Sequence, residues 1–119
     1  MLMSTTSVLQ GKEIKEYRGI VFGEVINGIN FVKDFTINIT NFIGGRSKEY
    51  EEELVNSRAD AIKEMMDRAK KIGANALIGV KIDVETIEVN DKGVMLMVVA
   101  SGTAVVVVDL WKKMVNGLE

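Results

Sequence analysis

Val94-Met95-Leu96-Met97-Val98-Val99-Ala100-Ser101-Gly102-Thr103-Ala104-Val105-Val106-Val107-Val108 decides the fold. It is rich in β-branched residues and reads as one strand. At about 3.3 Å per residue it would extend roughly 50 Å. A compact domain of this length has a radius of gyration of only about 14 Å. The strand must therefore bend, with Ser101-Gly102 the natural place, or reach a neighbouring subunit. Its apolar residues also occupy both faces, and both then need cover. One helix covers one face, so homo-oligomerisation is the simplest remedy.

Moving toward the N-terminus, Asn90-Asp91-Lys92-Gly93 is a hairpin-type turn. Ala76–Val89 before it reads as the partner strand. Ile78, Val80, Ile82 and Val84 share one face, and Lys81, Asp83 and Glu85 share the other. Ile87 and Val89 fall out of phase, which predicts a bulge or a bend near Glu85-Thr86.

Ser47–Ile72 is the clearest helix. Ser47 suits the N-cap, and Glu49, Glu51, Glu52 and Glu53 suit the positive end of the helix dipole. Lys70 and Lys71 suit the other end, and Gly73 supplies a left-handed stop. Tyr50, Leu54, Ala61, Ile62, Met65, Ala69 and Ile72 form one apolar stripe. Glu51 and Arg58 fall inside that stripe, where a charge requires a partner.

Earlier still, Thr5–Leu9 reads as a short strand and Gln10-Gly11-Lys12 as a turn. Tyr17–Ile26 reads as a strand in which Gly19 and Gly23 point to a bulge or a close backbone approach. Asn27-Gly28 reads as the turn that ends it. Phe31–Phe42 mixes helical and alternating spacing and reads as a short helix or irregular segment. At the other end, Leu110, Trp111, Met114, Val115 and Leu118 recur at helical spacing. Residues 109–119 thus form an amphipathic tail that packs on its own or another subunit, with Trp111 as a packing anchor.

Composition excludes much chemistry. The 119 residues, one domain's worth, contain Cys 0 and His 0. That removes disulfides, thiolate zinc sites, iron–sulfur clusters and every Ser–His or Cys–His mechanism. Met65, Met66, Met95, Met97 and Met114 could offer thioether ligands to Cu(I), but scattered over helix and strands they read better as core filler. The charge balance is Lys+Arg 15 against Asp+Glu 17, which argues against a nucleic-acid binder. The longest apolar run, Val94–Ala100, falls well short of the ~20 residues that span a bilayer. Met1-Leu2-Met3-Ser4-Thr5-Thr6 lacks the features of a signal peptide, so a cytoplasmic location is the expectation.

Three constellations remain. Ile43-Gly44-Gly45-Arg46-Ser47 places two glycines and an arginine before a helix. Such a start can collect backbone N–H groups around a phosphate, carboxylate or sulfate. It can equally be a tight turn with an ordinary cap. No lysine follows in the register of a nucleotide-triphosphate loop. Glu51 and Arg58 form either a polar site at an interface or an ion pair that fixes register between subunits. Asp83 and Glu85, joined by Glu24 or Asp34, offer carboxylates to a hard divalent cation, or else form a solvated face beside Lys81. No residue stands out as a nucleophile, and the expectation is a protein that is not an enzyme and needs no cofactor.

These residues carry a family resemblance. Thr5-Thr6 with Leu9 and Gly11, Gly23-Glu24, Gly28, Asn30 and Asp34 come first. Gly44-Gly45-Arg46-Ser47, Tyr50-Glu51 and Arg58 follow, then Gly73-Ala74-Asn75-Ala76, Gly79, Asp83 and Glu85. Met95-Leu96-Met97 and Ser101-Gly102-Thr103-Ala104-Val105 complete the set. Residues 3–107 resemble the YbjQ-like family of small bacterial proteins, described as heavy-metal-binding and without an established activity. The resemblance implies an α+β subunit similar to dodecin subunits, with an antiparallel sheet on one long helix, assembled as a ring-like homopentamer. Its motif residues map onto Gly44, Gly45, Arg46, Ser47, Tyr50, Glu51 and Arg58. The reading is thus a single domain whose core covers residues 3–108. It forms a non-enzymatic homopentamer holding a small anion or metabolite at subunit interfaces. The alternatives are a carboxylate metal site at Asp83 and Glu85, or a purely structural ring.

Overall fold

The computed structural model describes residues 1–29, 48–88 and 93–117. The readings of Phe31–Phe42, of the Gly44–Ser47 helix start and of most of the Asn90–Gly93 turn lie outside the described residues. The elements are β1 (Leu2–Met3), β2 (Lys12–Ile29), α1 (Lys48–Lys71), β3 (Ala76–Glu88), β4 (Val94–Asp109) and α2 (Leu110–Gly117). Among the described residues the sheet has four strands in the order β1-β3-β4-β2. β4 pairs antiparallel with both β2 and β3, but β1 pairs parallel with β3. The sheet is therefore mixed rather than purely antiparallel.

Thr5–Leu9 is not a strand. Ser4 and Thr6 hydroxyls lie 2.6 Å apart, and the Thr6 hydroxyl donates to the Val8 carbonyl at 2.6 Å. Such short-range side-chain bonds draw the chain out of extended geometry. The segment still covers the start of β3, because Gly79 N–H donates to Thr6 O and Val80 N–H to Ser4 O. Asn27-Gly28 is not a turn either; β2 runs on to Ile29. The Asn27 amide is engaged by Glu53 and Ser57 of α1 rather than by its own backbone.

α1 closes with Ala74 N–H on the Ala69 carbonyl and Gly73 N–H on the Lys70 carbonyl, both at 3.0 Å. Gly73 has φ +84°, so this is a Schellman stop. Arg68, Lys70 and Lys71 occupy the last turn and complement the dipole. The buried column of the helix is Ser57, Ala61, Met65 and Ala69, each fully buried. Tyr50, Leu54, Ile62 and Met66 flank it. Glu51 and Arg58 lie off this column and are exposed, so neither charge sits on the packed face.

Opposite that column the sheet offers small residues. A Cβ on Gly23 would lie 1.9 Å from the Ala61 carbonyl oxygen and 2.8 Å from Met65 N. The close backbone approach read from Gly23 is therefore present, between β2 and α1. Ala100 and Ala104 of β4 are fully buried in the same core with Leu77, Leu96 and Val98.

The bulge in β3 falls earlier than its hydrophobic pattern suggested. Pairing with β4 slips between Ile78 and Lys81, not at Glu85-Thr86. Gly79, at φ +58°, takes up the strain. Leu77 and Ile82 then face the helix, whereas Ile78 turns to the other side with Ala76, Val105 and Val107. A second slip, between Tyr17 and Gly19, meets the expectation for Gly19.

β4 passes Ser101-Gly102 without interruption, and the irregularities sit in its neighbours instead. The result is long: 71 × 25 × 16 Å, with a radius of gyration of 19.8 Å. A compact chain of this length would have about 14 Å. α1 covers the part of the sheet around Leu96–Ala104. Beyond it β2 and β4 continue as a two-stranded ribbon to Lys12 and Asp109. On the face away from α1, Ile20 is 70% and Ile26 55% exposed.

Gly23→Ala is expected to destabilise the fold by about 3 kcal/mol or more, because the backbone of α1 must move to admit one methyl group. Chemical denaturation of the two proteins side by side measures this.

Candidate functional site

The start of α1 is the region that the motif residues single out. Gly44, Gly45, Arg46 and Ser47 lie outside the described residues. Tyr50, in the first turns, is half-buried, and its hydroxyl shares a hydrogen bond with Thr86 Oγ1 of β3 at 2.8 Å. Glu51 and Arg58 are seven positions apart, which is about 10 Å along the axis, and both are exposed.

A polar group beside them escaped the sequence reading. Asn27 Nδ2 donates to Glu53 Oε1 at 2.6 Å and to Ser57 Oγ at 2.8 Å. Ser57 Oγ lies 3.5 Å from the same carboxylate. Ser57 is fully buried, while Asn27 and Glu53 are half-buried. Among the described residues no buried side-chain polar atom lacks a partner, as close packing demands. One signal was available: Ser57 stands four residues before Ala61, in line with Met65 and Ala69. The network joins β2 to α1 and, with Tyr50–Thr86, ties the first half of the helix to both outer strands of the core sheet.

The acidic candidates lie elsewhere. Asp83 and Glu85 are exposed on β3, and Asp83 sits 3.6 Å from Lys81 Nζ. Glu24 aligns with the same β4 residue as Asp83, namely Val99, but from the opposite side. Two strand spacings, about 9.5 Å, separate them. Glu24 Oε1 is also 3.3 Å from Arg68, which donates to the Phe22 carbonyl at 2.7 Å. Asp34 lies outside the described residues. Among the described residues no three acidic side chains gather closely enough to hold a metal ion.

The far end of the ribbon carries a third polar group. Lys12 pairs with Asp109, Lys113 Nζ donates to Glu13 at 2.7 Å, and Lys112 lies 3.8 Å from Asp109. Lys12, Asp109 and Lys112 border a shallow cavity of about 320 Å³ shared with Leu2, Asn75 and Val107. The hydrogen bond from Lys113 holds the Glu13 carboxyl below its usual range, and that from Lys12 does the same for Asp109. Trp111 is not a packing anchor within the chain: it is 62% exposed.

The geometry defines a small α+β protein built from one long helix on an elongated mixed sheet, with polar networks at both ends of the sheet. The family model described as "putative heavy-metal-binding" (YbjQ) matches residues 1–108. A UPF0145 protein of Acetivibrio thermocellus is 56% identical over 107 residues, covering 90% of this chain and 99% of that protein. One from Listeria ivanovii is 59% identical over 107 residues, covering 90% and 96%. The chain belongs to the YbjQ family. A crystal structure of a DUF74-family protein of unknown function from Pediococcus pentosaceus shares the fold. Its TM-score is 0.62 at 18% identity, covering 91% of this chain and 98% of that one.

The family description names heavy metals, and the residues can be tested against it. Soft ions select thiolate and thioether donors, and imidazole suits zinc and copper. The chain contains Cys 0 and His 0, and its described carboxylates are dispersed. Thiolate and imidazole sites are therefore excluded, and the methionine thioethers are the soft donors that the sequence retains.

Ser57→Ala should lower stability by about 1–2 kcal/mol, because Asn27 and Glu53 each lose a partner in a packed setting. Arg58→Ala, at an exposed position, should stay within about 0.5 kcal/mol of the parent. Denaturation midpoints distinguish the two.

A folded pKa below the unfolded one contributes stability that is present above the unfolded value. It is lost as pH falls through the folded value. Glu13 and Asp109 should therefore hold the ribbon end at neutral pH and release it in acid. Carboxyl titration by NMR should place both midpoints low, and Lys113→Ala and Lys12→Ala should return each to normal.

Proposed function

We propose that this protein is the subunit of a non-enzymatic homo-oligomer, a cytoplasmic ring of five copies. Its ligand is a small anion held at subunit boundaries near the start of α1. The observation that carries the assembly is the side of the sheet that, among the described residues, no helix covers. Phe22, Ile20 and Ile26 project from β2 on the face that α1 does not reach. Met95, Met97 and Val99 of β4 share that face and are half-buried. Exposed apolar surface on this scale marks an interaction site. The extended shape supports the same reading, since the sheet outruns the cover that one helix gives it.

Arg46 and Arg58 supply the positive charge for the ligand, with Gly44 and Gly45 shaping the approach and Ser47, Tyr50 and Glu51 bordering it. Support for this part comes from the sequence, a Gly-Gly-Arg-Ser run before a 24-residue helix. The polar network at Asn27, Glu53 and Ser57 would keep the first half of that helix rigid.

Native mass spectrometry of the purified protein should show five copies, with additional mass of anionic character. A monomer would end the assembly reading. Arg46→Ala with Arg58→Ala should remove the additional mass and leave the oligomer intact; a folded double variant that retains the mass would end the anion reading.

A further inference from the structure

α2 lies past residue 108, where the family match stops. It is held firmly. Leu110 N–H donates to Gly11 O at 3.0 Å, Lys113 binds Glu13, and Asp109 pairs with Lys12. Thus anchored, the helix buries none of its residues. Leu110, Trp111, Met114 and Val115 are exposed by 41% to 71%. They fall within one arc of the helix, and Lys112 and Lys113 lie outside it.

The uncovered side of the sheet has a matching layout. Met95, Met97 and Val99 form its central line along β4. Their aligned neighbours on β3 are Ile87, Glu85 and Asp83. The apolar line is thus bordered by exposed Asp83 and Glu85 on β3, with Lys81 3.6 Å from Asp83, and by Glu24 on β2, and α2 is an apolar arc bordered by lysine. Within one chain the two do not meet. Val99 and Asp109 are ten residues apart on the same strand, about 33 Å. An eight-residue helix spans only about 12 Å.

We infer that α2 of one copy docks on the uncovered sheet face of a second copy, with Trp111 and Met114 over the Met95–Met97–Val99 line and Lys112 facing Asp83 and Glu85. The inference rests on the assembly reading above and adds to it which surfaces meet. It also gives Trp111 a role: a large ring presented on a helix anchored by three polar contacts loses little freedom on docking.

Trp111 is the only tryptophan of the chain, so tryptophan fluorescence reports on the surroundings of that one side chain. The experiment is acrylamide quenching of the intact protein, with its oligomeric state read in parallel by native mass spectrometry. The expected result is an oligomer whose Trp111 is quenched several-fold less efficiently than free N-acetyltryptophanamide. Asp83→Lys with Glu85→Lys, folded by circular dichroism, should restore efficient quenching. A chain ending at Val108 should still assemble, because the helix adds to the assembly rather than founding it. A monomeric intact protein would overturn the assembly reading and this inference together. An oligomer with freely quenched Trp111 would overturn this inference alone. So would a shielded Trp111 indifferent to the charge reversal. Free quenching combined with a blue shift on phosphatidylserine vesicles would overturn it in favour of a lipid surface.

Discussion

The Gly23–Ala61 contact sets the geometry of the molecule. A helix normally stands off a sheet by the depth of its side chains. Here a Cβ on Gly23 would lie 1.9 Å from the Ala61 carbonyl oxygen, so backbone meets backbone. Ala100, Ala104 and Ala69 extend the same economy of volume along the interface. Close approach raises packing density and brings many weak contacts into range. It also fixes the position of α1 along the sheet, because a shift in either direction would set a larger residue against the helix backbone.

Much follows from that placement. With α1 seated over Leu96–Ala104, its first half comes beside Asn27 and Thr86. The Asn27–Glu53–Ser57 network and the Tyr50–Thr86 bond form there. The Schellman stop at Gly73 then turns the chain back into β3, and Gly79 slips the register so that Leu77 and Ile82 both face the helix. Arg68 crosses the β2 edge to the Phe22 carbonyl, which blunts that edge against unspecific pairing. Each device serves one covered face. The other face is closed where Ala76, Ile78, Val105 and Val107 are buried and exposed around Ile20, Phe22 and Ile26, and the α2 helix is held at the far end of the ribbon.

This division bears on function. Among the described residues the buried polar side chains are all satisfied by hydrogen bonds. The family description suggests metal, yet this chain has neither thiolate nor imidazole to offer one, only carboxylates and methionine thioethers. What the fold offers instead is surface: an uncovered sheet face, and an amphipathic helix added beyond the region shared with the family.

The sequence by itself determined the α+β class, the long helix and its glycine stop, the apolar last strand, and a bulge or close approach at Gly19 and Gly23 without assigning which to which. These are local matters of periodicity, caps and missing Cβ atoms, and they are written in neighbouring residues. It determined family membership too, through motif residues spread over most of the chain. Only the tertiary structure decided the rest. Asn27-Gly28 has the form of a turn, yet it is strand because Glu53 and Ser57, distant in sequence, take the Asn27 amide. Thr5–Leu9 has the pattern of a strand, yet hydroxyl bonds bend it. The slip in β3 was placed near Glu85 from hydrophobic phase, whereas pairing with β4 puts it at Gly79, where a positive φ is tolerated. Glu51 and Arg58 belong to the stripe on a helical projection but not to the buried column, because the packed line runs through Ser57. At Asn27 partners remote along the chain overrode a local preference worth about a kcal/mol, whereas at Thr5–Leu9 one local preference, the Ser4 and Thr6 hydroxyl bonds, overrode another.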